Sequence, residues 1–200
     1  MKLNYKTSMS LAAAMGCLAM SANAATVTIN NHDFSTGTSY PVVQGWDSDN
    51  NSGINNAQPF GPALWVNGTG VVSQTTGATI DEGTIYTMTV DIGQQNLWPG
   101  GGGIIRLYGS DSGPSVALAE FDSGSLPASG DSLLDQTISF TATAGQDTGQ
   151  FVGVALIGGG GTQVRFDNVR LDATAAAIPE PSAVALFAIG GLALLRRRRK

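Results

Sequence analysis

A few stretches hold residue types and spacings that can do chemistry. Asp47-Ser48-Asp49-Asn50-Asn51-Ser52-Gly53 sets oxygen-bearing side chains at alternate positions, the spacing with which a loop gathers ligands for calcium. The stretch departs from a complete EF-hand loop, with Ser52 at the sixth place where glycine is needed and Gln58 at the twelfth where glutamate is needed. Asp47 and Asp49 are therefore candidate calcium ligands, in competition with a plain solvated loop. Gly109–Ser115, GSDSGPS, brings serines beside an aspartate, but His32 is the only histidine of the chain. A serine nucleophile needs a base within hydrogen-bond reach, so the stretch reads as a polar turn. No cluster of His or Cys exists to hold zinc. Glu82 and Glu120 lie at strand edges, and no spacing singles out a carboxylate pair for glycoside hydrolysis. Sugar binding needs exposed aromatic faces with polar neighbours. Trp98, followed by Pro99 and four glycines, is the best placed for exposure, with Trp46 beside an acidic loop as a second candidate contact; Trp65, in an apolar strand, reads as core. The expectation is a body that is not an enzyme.

Charge narrows the partners. The 200 residues are only 12% charged, and their net charge of −5 conceals a strong asymmetry. Lys2 and Lys6 open the chain and Arg196, Arg197, Arg198, Arg199 and Lys200 close it. Between them, three arginines (Arg106, Arg165, Arg170) face fifteen carboxylates, a balance of −12. Such a surface repels phosphate backbones, so no nucleic-acid partner is expected.

The two ends read as addresses. Lys2 and Lys6, the apolar stretch Met9–Met20 and Ala22-Asn23-Ala24 make a secretory signal peptide over 1–24, cut before Ala25. Its removal would take away Cys17, the only cysteine, and with it any disulfide or thiolate chemistry. At the other end, 183–195 is a run of 13 uncharged residues. As a helix it spans about 20 Å, short of the ~30 Å hydrocarbon core. The basic residues 196–200 obey the positive-inside rule and place the body on the outer side of the membrane. Pro179-Glu180-Pro181, the short apolar helix and the terminal arginines, in that order, resemble the PEP-CTERM sorting signal of exopolysaccharide-producing Gram-negative bacteria. The resemblance implies recognition of Pro179, Glu180 and Pro181 by an exosortase, a membrane transpeptidase-like protease. The prolines keep that triplet extended and outside the helix, in the form a protease binds.

The body, 25–172, holds about nine runs of β-branched or alternating residues closed by turn residues. In Thr84–Gly93, TIYTMTVDIG, the period of two puts Ile85, Thr87, Thr89 and Asp91 on one face and Tyr86, Met88, Val90 and Ile92 on the other. No amphipathic helix of ten residues interrupts the pattern. The class is all-β, a β-sandwich, followed by a linker over 173–182. The start, TINNHDFSTG with Gly45-Trp46, and the end, VRFDNVRLDA, resemble jelly-roll domains of the galactose-binding and carbohydrate-binding-module type. That resemblance implies adjacent first and last strands sharing a structural calcium, with Asp167 as a ligand; Ser35 stands where an acidic residue often follows the phenylalanine. The expectation is an exported, non-enzymatic surface or matrix protein, tethered to the inner membrane before processing and associated with extracellular polysaccharide and biofilm. The alternative is a carbohydrate-binding module, and a polysaccharide hydrolase stands third. No cofactor is required, and a structural calcium is the one candidate ion.

Overall fold

Alternation decides which way each strand faces, and the strands close around one core. The computed structural model describes residues 24–37, 42–56, 61–94, 101–124 and 132–175. Trp98, the Pro-Glu-Pro triplet, the apolar run after it, the terminal basic residues and the expected signal peptide lie outside them, except for that peptide's last residue, Ala24, which opens the first strand. Eleven strands are present among the described residues: β1 (Ala24–Val27), β2 (Asp47–Ser48), β3 (Ser52–Asn55), β4 (Ala63–Asn67), β5 (Val71–Thr79), β6 (Thr84–Gly93), β7 (Gly103–Gly109), β8 (Ala119–Asp122), β9 (Leu133–Thr141), β10 (Phe151–Gly158) and β11 (Gln163–Ala175). There is no helix among these residues. None of them is long and apolar enough as a helix to cross a membrane.

The strands form two antiparallel sheets. The first runs β3-β4-β11-β6-β9, with β1 added beside β11; the second runs β2-β5-β10-β7-β8. The first and last strands are paired from Ala24 opposite Thr174 to Val27 opposite Leu171, the adjacency the jelly-roll resemblance implies. β11 continues to Ala175, three residues beyond the expected boundary at 172. Two strands, β2 and β3, escape the sequence pattern because they are short and rich in polar residues and glycine.

Only β3–β4 and β7–β8 join sequence neighbours within one sheet; the later connections cross from sheet to sheet. The glycine run 158–161 therefore does not close a hairpin within one sheet. It carries the chain from β10 in the second sheet to β11 in the first. Glycine is required there by close backbone approach. The Gly158 amide donates to Gly70 O and the Gly159 amide to Gly102 O, at 2.9 and 3.0 Å. A Cβ on Gly158 would stand 2.2 Å from Gly68 O.

The core lies between the sheets. On β6, Tyr86, Met88, Val90 and Ile92 are buried while Ile85, Thr87, Thr89 and Asp91 face outward, as the period of two predicts. They meet Leu64 and Val66 of β4, Val152, Val154 and Leu156 of β10, and Phe166 and Leu171 of β11. Each such aliphatic side chain contributes about 1.5–3 kcal/mol by leaving water. The loop after β1 is pinned into this core by Phe34, which is fully buried with its ring 5.5 Å from that of Trp46. Asn31 closes the loop with its side chain. Its Nδ2 donates to Thr36 O and Gln44 O, and its Oδ1 accepts from the Thr36 amide and hydroxyl. Asn31 and Phe34 both adopt positive φ, a cost that this packing and these bonds offset.

Candidate functional sites on the two outer faces

Strand register builds a row of carboxylates on the first sheet. Asp135 of β9 stands opposite Asp91 of β6, and Asp91 stands opposite Asp167 of β11. A register irregularity in β11 between Asp167 and Arg170 lets Asn168 and Arg170 turn toward the row. Asn168 Nδ2 donates to Asp91 Oδ2 at 2.8 Å. Arg170 Nη2 donates to Asp135 Oδ1 at 2.7 Å and lies 3.8 Å from Asp91 Oδ1.

Like charges this close repel one another, and their environments move their titrations apart. Burial raises the Asp91 carboxyl above the usual range, helped by its hydrogen bond to Asp135; the same bond lowers Asp135. Asp167 is pushed up to about 6, first by burial and then by the charges of Asp91 and Asp33, against the Asn168 amide that donates to its Oδ1 at 2.7 Å. Asp33 is held low by the Ser35 hydroxyl and amide, which donate to its Oδ1 at 2.8 and 3.2 Å. Ser35, the residue that departs from the jelly-roll pattern, thereby orients a carboxylate two positions earlier. Beside this locality, Val27, Ile29, His32, Val169 and Arg170 line a mainly apolar hollow of about 190 Å³.

The outer face of the second sheet is built differently. Tyr108 of β7 faces Gly153 of β10, which in turn faces Thr75 of β5. The tyrosine ring lies flat across the glycine: a Cβ there would meet ring carbons at 2.2–2.5 Å. Its hydroxyl reaches Thr75 Oγ1 at 3.5 Å. In the neighbouring row, Asp47, Ser73, Ala155, Arg106 and Glu120 follow one another across five strands. Arg106 closes one end by donating from Nε to Glu120 Oε2 at 2.6 Å.

At the other end opens a polar cleft of about 420 Å³, lined by Asn30, Gly45, Trp46, Asp47, Ser73, Gln74 and Thr75. Gln74 fixes its wall. Its Oε1 accepts from the Asn30 amide at 2.8 Å, and its Nε2 donates to Asn30 O and Gly45 O at 3.1 and 2.7 Å. Ser73 is only 7% exposed, yet its hydroxyl has no hydrogen-bond partner among the described residues.

The predicted site residues fall into place unevenly. Trp46 lines the cleft but is 7% exposed, its ring packed on Phe34 and its Nε1 donating to Asn31 O at 3.4 Å. Its packing into the core leaves only its edge at the cleft. Trp65, read as core, lies on the outward side of β4, since Leu64 and Val66 take the inward positions. Asp47 and Asp49 are not gathered into one loop site. Asp47 lies in β2, while Asp49 accepts the Asn51 amide at Oδ1 and the Val71 amide at Oδ2, at 3.1 and 2.8 Å. Its role is to tie a turn to β5. GSDSGPS is a turn, with the Ser112 hydroxyl donating to Asp147. Among the described residues no group of three or more His, Cys, Asp or Glu side chains is set to hold a metal ion. Ser73, Thr75 and Tyr108 carry no local signal beyond outward places in alternating strands.

Known proteins resemble the chain in two parts. The HpiC1-like family, described as HpiC1 cyclase, matches residues 18–172. The PEP-CTERM protein-sorting motif matches residues 177–200, in agreement with the resemblance seen in the sequence. No curated protein matches the sequence. A cyclase from Fischerella sp. TAU is 25% identical and superposes with a TM-score of 0.62, covering 78% of this chain and 100% of its own. The Stig cyclase Fisc from the same organism, in complex with (3Z)-3-(1-methyl-2-pyrrolidinylidene)-3H-indole, is also 25% identical at a TM-score of 0.62, covering 77% of this chain and 100% of its own. A carbohydrate-binding module, CBM4, is 14% identical at a TM-score of 0.49, over 73% of this chain and 99% of its own. The match to a cyclase family does not fit a simple expectation of a non-enzymatic body.

Proposed function

The chain belongs to the HpiC1-like family, and from that premise we propose that its body is an exported, surface-sorted binding domain that takes a glycan in the polar cleft of the second sheet. The sorting motif implies export and processing by an exosortase. The apolar run 183–195 would hold the chain in the inner membrane until the cut, after which the body would meet extracellular polysaccharide. The observation that carries the binding reading is Ser73. Its hydroxyl has no protein partner among the described residues and is not sealed from water, so a ligand hydroxyl entering the cleft can take the place of solvent there. Asp47 and Thr75 line the same cleft, whose size suits a small polar ligand. The test is titration of the full chain against a panel of oligosaccharides. Binding that Ser73→Ala weakens supports the reading; no binding at millimolar ligand overturns it.

A structural calcium is the matching proposal for the first sheet. Asp33 and Asp167 offer oxygen donors that suit a hard cation, and a divalent charge would relieve the repulsion that pushes Asp167 up. Melting with and without a chelator tests it, and an unshifted midpoint dismisses it.

Family membership favours a second reading, in which Asp167 is a general acid for ring closure. A carboxyl that keeps its proton to about pH 6 suits that role. A bound calcium would hold Asp167 ionised, so the two roles exclude each other. The indole bound by Fisc is the probe. Binding that fades above pH 6 and is changed by Asp167→Asn favours the acid; no binding at any pH removes it.

A further inference from the structure

Resting on the glycan-binding reading of the cleft, we infer that its ligand is an amino sugar whose protonated amine meets the Asp47 carboxylate beside the Ser73 hydroxyl. Asp47 and Ser73 are register partners across β2 and β5 and both line the cleft. Neither side chain has a hydrogen-bond or ion-pair partner among the described residues: Asp47 is exposed at the rim, and Ser73, 7% exposed, keeps its hydroxyl open to the cleft. The other polar groups of the lining are occupied. Gln74 spends its amide on Asn30 and Gly45, and Trp46 spends its indole N–H on Asn31 O. Two acceptor-capable groups are thus left facing the same space.

The charge of the lining selects among sugars. It holds one carboxylate and no cation. The arginines of the body are committed elsewhere: Arg106 to Glu120, Arg170 to Asp135 and Asp91, and Arg165 to the buried outer side of β11. A uronic acid would therefore bring its carboxylate against Asp47 with nothing to neutralise it. An ammonium there makes a charge-assisted hydrogen bond to Asp47 while a neighbouring sugar hydroxyl donates to or accepts from Ser73. Hydrogen bonds to a charged partner contribute enough to give a preference of at least about tenfold.

The experiment is calorimetric titration of the full chain with glucosamine oligomers, their N-acetylated counterparts, galacturonate oligomers and spermidine. The expected order is glucosamine at least about tenfold tighter than the acetylated form, with uronate and spermidine not bound. Asp47→Asn should erase the preference yet keep the weaker binding of the acetylated form, and Ser73→Ala should weaken both. Glu82→Gln, an exposed carboxylate outside the cleft, should leave the preference intact. Equal affinity for the two oligomers, with both lost in Ser73→Ala, overturns the amine and leaves the glycan reading standing. Loss of preference in Glu82→Gln, or spermidine binding as tight as glucosamine, reduces it to bulk charge and overturns it. No glycan binding of any kind overturns both inferences.

Discussion

The two outer faces of the sandwich are made of the same kind of strand and behave oppositely. On the first sheet, register lines up Asp135, Asp91 and Asp167, and their repulsion is eased by an arginine and an asparagine. On the second, register lines up small residues, with Tyr108 folded flat over Gly153, and leaves a shaped polar opening beside Asp47 and Ser73. The first face stores electrostatic repulsion; the second opens polar groups to a cleft. Both depend on one segment, the loop after β1, which gives Asp33 to the first face and Asn30 to the second.

That shared dependence makes the strongest test of the comparison. Phe34→Ala should destabilise the protein by about 3–5 kcal/mol, because a fully buried ring is removed beneath the loop. Denaturant unfolding checks it, and perturbation of both faces in the same variant would show that they are joined there. Gln74→Ala should cost about 2 kcal/mol by leaving the Asn30 amide and two carbonyls unpaired. Its effect should be confined to the cleft, leaving the pH behaviour of Asp167 unchanged; a shift in that behaviour would break the separation of the faces.

The first face should show itself in pH. Asp167 binds its proton more tightly folded, at about 6, than at its ordinary 3.8. Its contribution is therefore complete below pH 3.8 and is lost as pH rises through 6. Asp167→Asn should flatten that fall by about 1 kcal/mol, less than the full shift implies because half the group meets solvent. Stability measured from pH 4 to pH 8 in both proteins tests the sign. The smallest effect belongs to Arg170→Ala. Its guanidinium is 53% exposed, so the melting midpoint should move by no more than about 2 °C, and less in high salt.

Much of this was legible locally. The facing of β6 followed from the alternation in TIYTMTVDIG, since a period of two maps directly onto the two sides of a sheet. The sorting motif was legible because its parts are contiguous. Asp167 was reached only through a resemblance, and its neighbours Asp91 and Asp135 lie 76 and 32 residues away from it, joined by strand pairing that no local pattern encodes. Trp65 was misplaced because an apolar neighbourhood does not say which side of a strand a residue takes. The glycine run 158–161 announced a turn but not its destination, since a turn's composition is silent on whether the next strand joins the same sheet.

By itself, the sequence determined the β class, the alternating faces, the acidic surface and the address at the C-terminus, because each is written in neighbouring residues. The tertiary structure alone decided that three aspartates share a row, that Tyr108 lies on Gly153 and that Ser73 opens beside Asp47. Those contacts join strands far apart in the chain, and sheet register, set by the packing of the whole core, determines which side chains meet.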